Sequence, residues 1–327
     1  MAGVRWSGTA RLLFLAIVVA WGFNYLFVNV GLGAASPLWL ATLRASVGAL
    51  GVLAIVTPMG AWGTLDGAGR RDALLLGLPS TGLFFGLWFV AAESVLPGEA
   101  AVLIYTFPFW VALLSDPLLG HRLGARHVVS IGVGFVGIAL IAQVWAVFGA
   151  STTLAPVLEL LGAAGAWAVG TVVFQRRFRP GQMAEANAFQ LIGGAAGLIV
   201  ATALLAPTPL PRFTPSLVAS VAWLGILGTA VAYAIWSMLL GRVRAATLSA
   251  YVFLVPVVAL GASALFFHER LTAIQLAGVG LVLASLYGVG TGPDAASPIA
   301  PAGAGPSGTP GELGRAGSDE PPPGGSN

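Results

Sequence analysis

The chain has no cysteine and no lysine; all 15 of its basic residues are arginine. Without cysteine there are no disulfides, thiolate metal sites or cysteine nucleophiles. Without lysine there is no Schiff base and no phosphate-binding loop of the Walker type, which argues against ATP-driven pumping by this chain. Charge is scarce as well, at 8% of residues against roughly a quarter in soluble domains. What fills the 327 residues is apolar: 57% are hydrophobic, and the mean hydropathy is +0.90. Such a chain has no polar shell with which to solvate a core, so its solvent is lipid. The isoelectric point near 9.8 does not signal nucleic acid, because the net charge is only +3 and the arginines are scattered over short loops.

Apolar runs fall at about Leu12 to Val30, Leu38 to Thr57, Ala73 to Ala91, Ala100 to Ser115 and Val128 to Phe148, then at Ala155 to Phe174, Ala188 to Leu205, Leu217 to Leu240, Thr247 to Phe267 and Thr272 to Val289. Each is near the length that crosses about 30 Å of hydrocarbon as a helix. Continuous apolarity rich in Leu, Ala and Gly argues against the alternation of a membrane barrel. The expectation is an all-α integral membrane protein with ten transmembrane helices. The first run reads as a retained anchor rather than a cleaved signal, since another hydrophobic run follows it at once.

Arginine placement sets the expected orientation, because cytoplasmic loops keep positive charge. With the N-terminus inside, Arg5, Arg11, Arg70, Arg71, Arg122, Arg126, Arg176, Arg177, Arg179, Arg242 and Arg244 are cytoplasmic, while only Arg212 and Arg270 are outside. Both termini are expected in the cytoplasm and the protein in the plasma membrane. From Gly292 the chain is dominated by Pro, Gly, Ala and Ser, with no aromatic residue; it cannot bury enough surface to offset ordering entropy and reads as a disordered tail. The expected organisation is a cytoplasmic segment 1–11, five-helix repeats at 12–148 and 149–290, and a cytoplasmic tail 291–327.

The two repeats are visible in the residues. A shift of 148 sets Gly77 on Gly225, Thr81 on Thr229, Trp88 on Trp236, Pro108 on Pro256 and Ser115 on Ser263, and a shift of 146 sets Trp21 on Trp167 and Gly48 on Gly194. Composition bias yields Ala and Leu coincidences but not Trp and Pro in one register. Five spans per repeat is odd, so the repeats are expected to be inverted, the arrangement that underlies alternating access around a midplane site.

Trp21-Gly22 with Asn24, Tyr105-Thr106-x-Pro108 followed by Ser115 and Gly120-His121-Arg122-Leu123, and Val255-Pro256 followed by His268-Glu269-Arg270-Leu271 together resemble the ten-helix transporters of the drug/metabolite superfamily built from two EamA domains. The resemblance covers about residues 10–290. It departs from the family at His121, where the pattern usually carries Glu. It implies transport of amino acids, other metabolites or drugs, with export common, and a cavity bordered by the third, fourth, eighth and ninth helices.

Polar and aromatic residues inside spans are the candidate cavity wall, since exposing polar groups to lipid is costly. Trp21 and Asn24 share a helix face; Trp167 is the counterpart of Trp21. Thr81, Phe85 and Trp88 recur as Thr229, Tyr233 and Trp236, each trio forming one stripe able to bind aromatic or amphipathic solutes or to pack helices together. Arg44, roughly 10 Å deep in the second span, either pairs with a substrate carboxylate or snorkels to a carboxylate or helix end; its counterpart is the neutral Gln190. Tyr105 and Tyr251 complete the candidate cavity. Pro79, Pro108 and Pro256 mark expected kinks. Glu159 is the one carboxylate placed clearly inside a span and the candidate for proton coupling, and this scarcity argues against a strongly proton-driven mechanism and leaves a passive or exchange mode open.

Gly132-x-Gly134-x-x-Gly137 spells a dinucleotide fingerprint but lies mid-span with no preceding strand. Together with Gly193-x-x-x-Gly197 it reads as close helix approach. His268-Glu269 lacks a third metal ligand. No catalytic residue, metal or cofactor is expected. The partners implied are a small-molecule substrate and the lipid bilayer, with no nucleic acid, and pairing into a homodimer stays open. The functional reading is a secondary transporter of small organic solutes, a non-enzyme; the alternative is an intramembrane enzyme acting on a lipid-linked substrate, which needs clustered Asp, His or Ser chemistry that the spans lack.

Overall fold

A computed structural model describes residues 8–95, 97–120, 123–143, 145, 154–267 and 270–290. Outside them lie the N-terminal segment to residue 7, His121 and Arg122, His268 and Glu269, and the tail from residue 291.

The apolar runs fold as helices. α1 (Gly8–Gly22) and α2 (Asn24–Leu32) make one limb interrupted at Phe23. α3 (Pro37–Val56) starts on Pro37, whose missing N–H costs nothing in a first turn. α4 (Gly67–Gly77) starts where Asp66 accepts from the Gly69 N–H at 2.7 Å. It runs into a π-helical turn, Leu78–Leu83, and then α5 (Phe84–Ala92). α6 (Pro97–Ile104) and α7 (Phe107–Leu119) form a broken limb, and α7 ends at Gly120, which takes the left-handed conformation at φ +66° that glycine adopts freely. α8 (Ala125–Ile141) closes the first half.

The second half repeats the plan with α9 (Leu154–Arg177), α10 (Met183–Leu205), α11 (Pro215–Ala222), a π-helical stretch Trp223–Val231, and α12 (Ala232–Leu240). α13 (Ala245–Tyr251), α14 (Leu254–Phe267) and α15 (Ala273–Gly290) complete it. Among the described residues, eight helices are long and apolar enough to cross a membrane, and two more apolar helices, Ala125–Ile141 and Ala245–Gly261, are shorter. Large apolar side chains face outward, Leu12, Leu50, Leu113, Leu204 and Leu265 among them. Asn24, Thr42, Thr171 and Ser249 are buried. This is the distribution of a multi-pass membrane protein, in which polar groups face the bundle interior.

The pairing of helices is symmetric under exchange of the halves. α3 packs on α10 and on the π stretch 223–231, while α10 packs on α3 and on the π turn 78–83. α1 lies against α12 and α14 as α9 lies against α5 and α7, and α8 pairs with α15. The glycines show why. A methyl group at Gly48 would collide with the Thr229 side chain, and one at Gly194 with that of Thr81; likewise Gly225 abuts the Arg44 carbonyl and Gly77 that of Gln190. Small residues let helix backbones approach closely where lipid supplies no hydrophobic drive.

Several expectations are refined. The first, fourth and ninth limbs are interrupted rather than continuous. Pro108 and Pro256 open the segments after the breaks at Tyr105-Thr106 and Val252-Phe253, and Pro79 sits at the start of the π turn. Both π segments contain the repeated threonine, Thr81 or Thr229; each widened turn shifts the helix register there. Of the fingerprint glycines, Gly134 faces Phe253 and Ser285 and Gly137 faces the Gly278 carbonyl, while Gly132 meets open space. The seventh helix starts at Met183, not Ala188. Glu159 is therefore not the one carboxylate in a membrane helix, because Glu185 lies in the first turn of α10, fully buried. Its carboxylate accepts from the Thr64 N–H at 2.7 Å, the Thr64 hydroxyl at 2.8 Å, the Leu65 N–H at 2.9 Å and Arg70 Nε at 2.9 Å. Four donors balance the charge, so this carboxylate pins the 57–66 loop to α10.

Candidate functional site

Arg44 is the chemical centre of the bundle. α3 carries it inward, and it is only 1% exposed. Nε donates to Thr229 Oγ1 at 3.0 Å, and Nη2 donates to the Gly228 carbonyl at 3.3 Å. In the amide orientation that satisfies its surroundings, Asn24 donates to the Ala20 carbonyl at 3.1 Å and accepts from Arg44 Nη2 at 3.3 Å. The guanidinium carbon lies 4.1 Å from the Phe85 ring centroid, 5.2 Å from that of Trp88 and 5.7 Å from that of Phe89. These faces stabilise a cation electrostatically.

No carboxylate neutralises it among the described residues: their ion pairs are Arg70–Glu185, Arg71–Asp72 and Arg177–Asp72. Nη1 is buried with no hydrogen-bond partner among those residues. An unpaired charge held out of water is expensive, and a buried donor left unmade costs about 1–3 kcal/mol.

Arg44 borders a narrow internal cavity. The first half contributes Trp21, Asn24, Tyr25, Phe84, Trp88, Ile104, Tyr105 and Phe107, and the second Ala164, Trp167, Tyr233 and Val252. The repeat mates Trp21 and Trp167 meet edge to face at 5.8 Å. Trp167 also stands edge-on to Tyr233 at 5.0 Å, and Phe84 stacks on Trp88 at 5.6 Å. Trp21 is fixed by its Nε1–H, which donates to the Gly228 carbonyl at 3.0 Å. Tyr25 and Tyr105 bring two hydroxyls to the same wall.

A second, smaller cavity lies beyond Trp167 and Tyr233, which line both. Its wall includes Ser80, Thr171, Asn187, Gln190, Trp236 and Ser237. Arg44 and its repeat mate Gln190 thus face separate cavities across an aromatic partition. Trp21 reinforces that partition by packing on Trp236 at 5.6 Å.

Of the candidate residues, Trp21, Asn24, Arg44, Trp88, Tyr105, Trp167 and Tyr233 meet at the first cavity, and Gln190 and Trp236 at the second. Thr81, Phe85, Thr229 and Tyr251 line neither. Phe85 is covered by Arg44, Thr229 is spent on Arg44 and on the Leu224 carbonyl at 2.8 Å, and Thr81 is packed on Gly194. Tyr251 sits edge-on to Phe14 at 6.0 Å, near Gly290. Glu159 is half-buried near the start of α9 and faces neither cavity. Sequence reasoning missed Tyr25, Phe84 and Phe107. Tyr25 and Phe107 follow helix breaks and Phe84 follows a π turn, so the 3.6-residue count through each limb misplaces them.

Comparison with known proteins agrees with this architecture. The model of the "EamA-like transporter family" matches twice, at residues 8–143 and 154–291. An uncharacterized transporter of Bacillus subtilis, YvbV, is 26% identical over 284 residues, covering 86% of this chain and 91% of its own. An Escherichia coli protein named "Probable amino-acid metabolite efflux pump" is 28% identical over 290 residues, 84% of this chain and 92% of its own. A solved crystal structure superposes with a TM-score of 0.71 at 21% identity, covering 86% of this chain and 97% of that one, and so shares the fold.

Proposed function

The chain belongs to the EamA-like transporter family, and from that premise we propose that it is a secondary transporter that moves small organic solutes through the Arg44 cavity by alternating access. The observation that carries this reading is the cavity's position between the two halves, with the repeat mates Trp21 and Trp167 in contact across it. Ten spans, five in each half, make the repeats inverted, and the exchange-symmetric helix pairing supports that geometry. Two inverted halves have two nearly equivalent packings, one open to each side. The Trp167 and Tyr233 partition is the barrier in one of them.

Arginine bias supports cytoplasmic termini, and the plasma membrane is the location this reading adopts. Export is the working direction, in line with the relatives named as efflux pumps. The described lining of the cavity carries neither a carboxylate nor a histidine, which favours facilitated diffusion or exchange over proton coupling. The test is flux of a labelled panel of amino acids, carboxylic acids and amines in proteoliposomes. Saturable flux that Trp167→Ala abolishes or uncouples is expected. Folded protein that carries none of the panel would overturn the reading.

A further inference from the structure

The electrostatics of the cavity are one-sided. Its single charged lining residue is Arg44, whose Nη1 is buried and without a partner among the described residues. The groups that hold the guanidinium, Thr229, Gly228 and Asn24, are neutral. They fix its direction without cancelling its charge. Of the other polar groups, Trp21 is already engaged by the Gly228 carbonyl, and Tyr25 and Tyr105 bring neutral hydroxyls. Tyr233 adds a buried hydroxyl with no partner among the described residues. The remaining wall is ring surface, chiefly Trp88, Phe84, Phe107 and Trp167.

We propose that this cavity selects organic monoanions, an aromatic or otherwise apolar body bearing one carboxylate, over amines and zwitterions. The proposal rests on the reading of the cavity as the transport site and names its substrate class. A carboxylate at Arg44 accepts from Nη1 and neutralises the buried charge, and charge-assisted hydrogen bonds are the strong ones. An ammonium has no acidic partner in the described lining, and burying one unpaired is costly. Of the rings that line the cavity, Trp88 already faces the guanidinium, and an ammonium stacked on the others would share a low-dielectric space with the like charge of Arg44. Zwitterions satisfy one end and strand the other. The apolar body rests between the tryptophans.

The experiment uses four ligands with one ring and different charge: 3-phenylpropionate, 3-phenylpropionamide, phenylalanine and 2-phenylethylamine. Calorimetric titration of the full chain in detergent is expected to show the anion binding about tenfold or more tightly than the neutral amide, with the amine weakest. Arg44→Gln is expected to bring the anion down to the level of the amide, and Arg44→Lys to keep the order. Should Arg44→Gln fail to fold, the order on the wild type and on Arg44→Lys decides. Phenylalanine or the amine binding as tightly as the anion, an anion preference that survives Arg44→Gln, or no detectable anion binding would each overturn the proposal. Counterflow in proteoliposomes separates the two claims. Anion binding without flux leaves the anion site standing and removes the transport reading; flux that favours the zwitterion or the amine does the reverse.

Discussion

Arg44 Nε donates to Thr229 Oγ1 at 3.0 Å across the interface between the halves, whereas their repeat mates, Gln190 and Thr81, keep side-chain oxygens without partners among the described residues. The backbone frame is shared: Gly48 abuts Thr229 just as Gly194 abuts Thr81. The symmetry is therefore structural, and the chemistry is placed on one side of it. Thr229→Val keeps the shape and removes the acceptor. Losing one hydrogen bond to a buried charged group costs about 1.5–3 kcal/mol of folding stability, so the melting temperature is expected to fall, and anion affinity is expected to fall with it because the guanidinium loses its fixed direction. Unchanged affinity would mean that the Thr229 hydroxyl does not orient Arg44.

The close approaches predict an asymmetric glycine scan. Gly194→Ala and Gly137→Ala push a methyl group into Thr81 and into the Gly278 backbone, and overpacking of this kind costs about 1–3 kcal/mol. Gly132→Ala meets open space and is expected to be neutral or better. Thermal unfolding in detergent checks the order, and equal melting temperatures for all three would refute the packing account.

Glu185 answers four donors over 110 residues away in sequence, three from the 57–66 loop and one from Arg70 of α4. Glu185→Ala leaves the Thr64 and Leu65 amides without their acceptor, and a buried donor left unmade costs about 1–3 kcal/mol. A large loss of folded yield or melting temperature is expected. Glu185→Gln retains acceptor capacity through its carbonyl and is expected to lose less. Indifference to both variants would show that the loop is not held there.

Proton coupling is not expected. An imposed pH gradient should leave flux unchanged, and Glu159→Gln should match the wild type, since Glu159 faces neither cavity. If the cargo is a lone anion, flux should respond instead to membrane potential, at about 2.3 kcal/mol per 100 mV for one charge. Accumulation driven by pH alone would contradict this.

The helices, their order and the twofold repetition were legible because apolar runs and a Trp and Pro register survive in one dimension. Arg44 was legible as an anomaly: a cation well inside a span needs a reason. The rest depends on local breaks in the helical count. Each π segment rotates the helix beyond it, so Thr81 and Thr229, read as part of a lining stripe, turn onto the opposite glycines, while Phe84 enters the cavity. Glu185 was hidden because its charge ended the apolar run that it belongs to.

Alternating access is tested most directly by thiol accessibility, which the absence of native cysteine makes clean. Ala164 is small, buried and on the wall of the Arg44 cavity. In oriented membranes, Ala164→Cys is expected to react with a membrane-impermeant thiol reagent from either side. A saturating substrate that holds one conformation should slow reaction from one side and speed it from the other. Reaction from one side only, whatever substrate is present, would contradict a site exposed alternately by two inverted halves.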